Sequence, residues 1–394
     1  MKFFHTADWH LGKLVQGIYM TEDQDYILQQ LMQEIEKEKP DAIIIAGDLY
    51  DRAVPPIEAV HLLDSFLDKV VMQLGIPVLA IAGNHDSPSR LNFGSKIMKD
   101  RACHISGTLV QEMEPVVLHD EHGEVHFHLV PYCDPSMVRH ALQDDEIRSH
   151  NDAMEKIVNH IREGMDPEAR HVFVGHAFVT PYGEEKANTS ESERPLSIGG
   201  SEYVDAHHFT PFHYTALGHL HQAHFVSEEK IRYAGSLLKY SVSEERHKKG
   251  FYIVEIDESG EAVIEKRLLE PSRDMRTVEG TLNELLTHPV NEDYVFVRLT
   301  DEKPVLSPME KVRSVYPNTM HIEQVMNNMA FHATDSHTSP ARTEISELER
   351  FQEFYKKVKG VEATEETEAI FKEVLDDLLK ERNETSKIEE YTNV

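Results

Sequence analysis

Five short clusters spread oxygen and imidazole donors through the first 221 residues: Asp8-x-His10, Gly47-Asp48, Gly83-Asn84-His85-Asp86, Gly175-His176 and Gly218-His219-Leu220-His221. Carboxylate, amide and imidazole without a thiolate suit manganese or iron better than calcium, and argue against a closed structural zinc site. Two such ions answer both difficulties of phosphodiester cleavage, the charge on the phosphate and the poor leaving alkoxide. They polarise the phosphoryl oxygens, activate water near neutral pH and stabilise the leaving group. Asp8, His10 and His221 fit one ion, Asn84, His176 and His219 fit the other, and Asp48 is the natural bridge. His85 lies beside Asn84 but outside this set, as a general acid for the leaving oxygen, with Asp86 as the group to orient it. The chemistry expected is metal-dependent phosphoester hydrolysis with two Mn2+, for which Mg2+ or Fe2+ could substitute.

Each residue also has an ordinary reading. Any one of 25 histidines is more often core or surface than ligand. Asp8 or Asp48 alone could be a turn residue or helix cap. The weight lies in five clusters in this order, each placed where a strand ends. Trp9 could pack or touch substrate, and Lys13, Arg52 and Arg90 could hold phosphates or simply face water.

The elements that must position these residues are legible as alternating patterns. Apolar or β-branched runs at Lys2 to Thr6, Ala42 to Ala46, Val78 to Ala82, Val172 to Val174 and Tyr214 to Leu217 each precede a cluster. Between them, Thr21-Glu22-Asp23-Gln24 reads as a capping box ahead of Ile27, Leu28, Leu31, Met32 and Ile35 at helical spacing. A second helix carries Val60, Leu63, Phe66, Leu67, Val70 and Val71 after Pro55-Pro56. Strands and helices in alternation predict βαβ units and a largely parallel central sheet, with the clusters at the carboxyl ends of the strands. From Val125 to Leu268 the strands are shorter and more alternating, which predicts an added antiparallel or mixed portion. Residues 183 to 201 read as a long polar loop beside the site.

After Pro271 the pattern restarts: a strand at Tyr294 to Leu299, a helix near Pro308 to Val315 and a strand at His321 to Val325. Residues 326 to 342 resemble a linker. The charged tail has two amphipathic stretches, Ile345-Leu348-Phe351-Tyr355-Val358 and Ile370-Phe371-Val374-Leu375-Leu378-Leu379, which could fold back or bind a partner, with the linker favouring a partner. Length, 394 residues with 40% hydrophobic and 28% charged, fits a soluble protein of more than one unit. No run approaches a membrane span and the amino terminus lacks a signal-peptide pattern, so a cytoplasmic location is expected. Cys103 and Cys133 form no ligand pair. A formal charge of −30 excludes a broad basic surface, so a DNA substrate would need help from bound cations and a partner.

On all five clusters the chain resembles the calcineurin-like metallophosphoesterases. More narrowly it resembles the SbcD family of bacterial DNA-repair nuclease subunits, on His5-Thr6-Ala7-Asp8-Trp9-His10-Leu11-Gly12, Gly47-Asp48-Leu49-Tyr50-Asp51, the run from Ser192-Glu193-Arg194-Pro195 to Val204, and Tyr233-Ala234-Gly235-Ser236-Leu237. The resemblance implies an α/β protein with a four-layered αββα sandwich, a small α+β capping domain and a C-terminal helical tail. The corresponding boundaries are 1–270 for the nuclease domain, 271–330 for the DNA-capping domain, 331–342 for a linker and 343–394 for a segment that docks on an SbcC-type, SMC-like ATPase. It implies a manganese-dependent 3′ to 5′ exonuclease on duplex ends and an endonuclease on single strands and hairpins, working in DNA repair and recombination. The family's assembly is a heterotetramer containing a homodimer of nuclease subunits. Its metal ligands fall on Asp8, His10, Asp48, Asn84, His176, His219 and His221, and its catalytic histidine on His85. Asp51 departs from archaeal and eukaryotic relatives, which carry a second active-site histidine there. No Gly-x-x-x-x-Gly-Lys loop is present, so ATP hydrolysis belongs to the partner. Two other readings use similar residues: a small-molecule or protein phosphoesterase, and a non-enzymatic scaffold of the same fold.

Overall fold

The computed structural model describes residues 1–181, Glu193, 202–325 and short pieces between 348 and 375. The loop expected over 183–201, Glu193 apart, and the linker expected over 326–342 lie outside the described residues. Residues Met1–Asn327 form one compact unit and Asn328–Val394 a second.

In the first unit, two six-stranded mixed sheets carry the clusters. One has the order Ala262–Leu268, Gly250–Ile256, Lys2–Thr6, Ala42–Ala46, Val78–Ile81, Cys103–Ser106. Its last four strands are parallel and the first two join antiparallel. The other has the order His224–Val226, Glu228–Tyr233, Tyr214–Gly218, Arg170–His176, Gly123–Val130, Val116–Asp120, with a parallel centre and an antiparallel strand at each edge. The residue pattern predicts a largely parallel central sheet with an added antiparallel or mixed portion; continuous apolar strands show only that both faces are covered. Here one face of each sheet is covered by the other sheet, through Phe3, Ile44, Leu79, Phe127, Val172, Tyr214 and Val254.

Helices close the outer faces. Thr21–Glu38 and Ile57–Leu67 pack on the first sheet, where Ile27, Leu31, Ile35, Leu63 and Phe66 meet Phe4, Ile43, Ile45 and Val78. His150–Glu163 covers the second sheet with Ile157 and Ile161 against Phe173 and Leu217, and is started by a Ser149/Asp152 capping box. Each buried aliphatic or aromatic side chain contributes about 1.5–3 kcal/mol as an upper estimate. The result is an αββα sandwich, with the clusters where the parallel strands of both sheets end.

The capping box expected at Thr21 does not form. Thr21 is already helical, Met20 precedes it without a side-chain cap, and the Gln24 side chain is drawn into the core instead. Its amide accepts from Gly12 N at 2.9 Å and donates to the His10 carbonyl at 2.7 Å. Loop groups left without partners by the turn after Lys2–Thr6 thus claim the side chain that would have capped the helix.

Residues 275–324 build a parallel three-stranded sheet, Met275–Gly280, Tyr294–Leu299 and Thr319–Gln324, with short helices Leu282–Leu285 and Pro308–Val312. Its core is Val278, Leu285, Val295, Val297, Val312 and Tyr316. The strand Met275–Gly280 carries no expected run because only Met275 and Val278 are buried in it.

In the second unit, helical residues place Phe351 on Phe371, rings stacked 4.1 Å apart, and Gln352 donates to Glu368 at 2.6 Å. Phe354, Ile370 and Val374 are exposed. Among the described residues no helix is long and apolar enough to cross a membrane.

Candidate metal centre

The loops bearing Asp8-His10 and Gly47-Asp48 run side by side, because parallel pairing continues past the strands: Asp8 N donates to Gly47 O at 3.1 Å, His10 N to Asp48 O at 2.9 Å and Leu11 N to Leu49 O at 2.9 Å. To turn the side chains into the space between the sheets, Asp8, His10, Asp48 and His219 take left-handed backbone, with φ of 53°, 46°, 51° and 108°. Such conformations cost roughly 1–3 kcal/mol each and persist only where the surroundings enforce them. Glycines let the loops meet. A Cβ on Gly83 would fall on the Asp48 carboxylate and backbone nitrogen, and one on Gly218 would fall on the Ala46 carbonyl of the facing sheet.

Donor atoms converge as Asp8-His10-His221, Asp8-Asp48-His176 and His10-Asp51-His85, each group lying within 4.8 Å. Nε2 of His10 is 3.0 Å from Nε2 of His221 and 3.6 Å from Asp48 Oδ2. On the other side of Asp48, His176 Nε2 lies 3.5 Å from Oδ2 and 2.9 Å from the Asn84 side-chain oxygen. Its Nδ1 is held 2.9 Å from the Ala46 carbonyl, which fixes the ring. Asp48 thus stands between two groups of donors, as a bridging carboxylate would. The His219 ring packs 5.4 Å from that of His176 but is in none of the three groups; its backbone N–H holds Asp8 Oδ1 at 2.9 Å.

Electrostatics fit cations. Asp8 Oδ2 is buried without a hydrogen-bond partner among the described residues. Burial, with Asp48 adding to it, pushes the Asp8 carboxyl up to about 7. Asp48 is held below the usual carboxylate range: burial opposes this, but His176, His10 and His85 outweigh it. Burial pushes His10 and His219 well below the usual histidine range, so both offer neutral lone pairs. His176, despite burial, is raised to about 9 by Asp48, and His221 is raised by Glu244. Two carboxylates crowded in one buried space, beside the lone pairs of His10 and His219, make a site whose charge a divalent ion would neutralise.

His85 is partly exposed at the rim. Its backbone N–H holds Asp48 Oδ1 at 2.8 Å and its Nδ1 lies 2.8 Å from the Asp51 carbonyl. The orienting role expected of Asp86 therefore falls to Asp51. The Asp86 carboxylate instead accepts from the backbone N–H groups of Leu49, Tyr50 and Gly83 at 3.1, 2.9 and 2.9 Å, tying together the two loops that carry Asp48 and Asn84. Burial and the Asp48 charge raise its carboxyl to about 7.

Trp9 is a packing residue, 1% exposed, with Nε1 donating to Thr6 Oγ1 and its ring edge-on to Phe66. Lys13 pairs with Asp51 at 2.8 Å, while Arg52 and Arg90 are exposed. Sequence reasoning missed the support behind His221. Its Nδ1 meets Glu244 Oε1 at 3.0 Å, and Glu244 pairs with Lys249, all buried. Nothing in Ser241-Val242-Ser243-Glu244-Glu245-Arg246-His247 distinguishes one buried carboxylate from a solvated charged turn.

Comparison with known proteins places the chain in a family. Residues 1–223 match the calcineurin-like phosphoesterase family, and residues 271–359 match the type 5 capsule protein repressor C-terminal domain. The SbcD subunit of the SbcCD nuclease from Staphylococcus epidermidis is 36% identical over 83% of this chain and 86% of its own length. The protein of the same name from Staphylococcus saprophyticus is 33% identical over 97% of this chain and 99% of its own. A dimetal phosphatase structure from Danio rerio aligns with 68% of this chain and 96% of its own at 11% identity, TM-score 0.39. With a buried pocket of donors at the strand ends of an αββα sandwich and relatives matched along almost its whole length, the chain belongs to the calcineurin-like phosphoesterases and, within them, to the SbcD family of nuclease subunits.

Proposed function

We propose that the chain is a manganese-dependent DNA nuclease, a 3′ to 5′ exonuclease on double-strand ends and an endonuclease on single strands and hairpins, that works with an SbcC-type ATPase in DNA repair and recombination. The observation that carries this reading over a small-molecule esterase is the extent of the likeness: a relative named as part of a nuclease matches 97% of this chain, including the three-stranded module and the tail.

When bound, two divalent cations supply Lewis acidity and charge neutralisation for attack on a phosphodiester. Asp8, His10 and His221 would hold one and Asn84, His176 and His219 the other, with Asp48 shared between the two sets. The Asp51 carbonyl can only accept, so Nδ1 of His85 carries its N–H there and Nε2 is the atom that would deliver a proton to the leaving oxygen when both ring nitrogens are protonated. Gln24 and Asp86 keep the ligand loops in place. The segment 271–330 acts as the DNA-capping domain, 331–342 as a linker and 343–394 as the docking segment for the ATPase, in a heterotetramer with a homodimer of this chain and in the cytoplasm.

The test is an end-labelled duplex and a hairpin incubated with Mn2+, with and without partner and ATP, beside a chromogenic phosphodiester. Processive shortening of the duplex supports the reading; turnover of the small ester alone, even with the partner present, sinks it. Asp48→Asn is expected to weaken metal binding by more than about a hundredfold, since even partners outside the ligand set are worth 10–100-fold. Normal Mn2+ occupancy in that variant would remove Asp48 from the bridge.

A further inference from the structure

The three-stranded module is fastened to the sandwich by residues whose immediate neighbours hold the metal loops. On helix Thr21–Glu38, Asp23 faces the module, accepting from Ser272 Oγ at 2.9 Å, Arg273 Nε at 3.0 Å and Tyr294 OH at 2.6 Å. The next residue, Gln24, a quarter-turn round the helix, faces the ligand loop and holds Gly12 N and the His10 carbonyl. A second pair repeats the arrangement. Glu245 accepts from Thr277 N at 2.9 Å, in the module's first strand, and its carbonyl accepts from Lys239, which also reaches Asp274 at 2.8 Å. Its neighbour Glu244 sits behind His221 and pairs with Lys249, whose ammonium also donates to the His221 carbonyl at 2.9 Å and Ser236 Oγ at 2.7 Å.

Both pairs end on the same side of the centre. His10 and His221 present Nε2 atoms 3.0 Å apart, whereas the His176 ring is anchored on the Ala46 carbonyl, inside the sandwich. We propose that the module controls the affinity of the ion held by Asp8, His10 and His221, through Asp23-Gln24 and Glu245-Glu244, and leaves the ion held by Asn84, His176 and His219 unaffected. Glu244 is the positioning residue for His221: a carboxylate on the far nitrogen of a ligating imidazole fixes its direction. Four buried or half-buried hydrogen-bonded residues, Asp23 beside Gln24 and Glu245 beside Glu244, give the coupling a contiguous path. Linkage then runs both ways, so an ion at this site steadies the seat of the module.

The inference rests on the two-ion reading of the centre, and calorimetric titration of the full chain with Mn2+ separates the two. Wild-type protein binds two ions; binding none sinks the two-ion reading itself. Glu245→Gln, and Tyr294→Phe as a milder change that removes one hydroxyl, are each expected to weaken one of the two sites about three- to tenfold. Glu244→Gln weakens the same site by about 10–100-fold. Arg276→Met, which breaks a pair with Asp293 inside the module, leaves both within about twofold of wild type. Melting curves confirm that each variant is folded. Equal weakening of both sites, or two unaltered sites in folded Glu245→Gln and Tyr294→Phe, overturns the coupling. So does amide exchange in Met275–Gly280 that fails to slow when Mn2+ is added to wild-type protein.

Discussion

His85 is where binding and turnover can be pulled apart. Its ring lies edge-on to His10, centroids 4.7 Å apart, yet its Nδ1 is engaged by the Asp51 carbonyl. His85→Ala should keep both ions, measured by metal analysis, and slow cleavage by about 10²–10⁴-fold, the usual worth of a positioned proton donor. Wild-type rates, or loss of an ion, would reassign it. Which residue types gather was legible from the sequence, because a two-ion cage needs hard donors next to glycine turns. What each does was less so. Asp86 adjoins His85 in the chain but serves backbone amides 36 and 37 residues away, and Glu244 matters only because it is buried behind His221.

Between elements, the two sheets are pinned at the end away from the ligands by Arg170. Its guanidinium donates to Asp120 at 2.6 and 3.0 Å and to the carbonyls of Gly123, Ile256 and Asp257, so one side chain spans both sheets. Arg170 holds the Asp120 carboxyl well below the usual range. A depressed carboxyl stabilises above its unfolded pKa of about 3.9, and that stability drains as pH falls toward the folded value. Asp120→Asn should therefore cost about 1–3 kcal/mol in urea unfolding at pH 7 and less at pH 3. An equal cost at both would show the pair to be inert. Strand and helix placement was legible wherever a period was clean, as in Ala42–Ala46 and Thr21–Glu38. The partition into two sheets was not: complete burial of a strand is the same signal whether a helix or a second sheet covers it. The Thr21 capping box failed because a distant loop competed for Gln24.

At the scale of the molecule, 70 acidic against 40 basic residues leave little electrostatic grip on a polyanion, so the proposed function needs a partner to hold the DNA. Exposed Phe354, Ile370 and Val374 give it an apolar surface of the kind that helical partners bury. Removing residues 343 to 394 should preserve manganese-dependent cleavage of a labelled duplex and abolish co-purification with the SbcC-type ATPase; retained co-purification would refute the docking role. The left-handed backbone at His10 and His219 has a different kind of consequence. Glycine at either position relieves strain of roughly 1–2 kcal/mol. The same change would empty the space of a buried imidazole, so each donor side chain, by its packing, holds its own loop in the uncommon conformation.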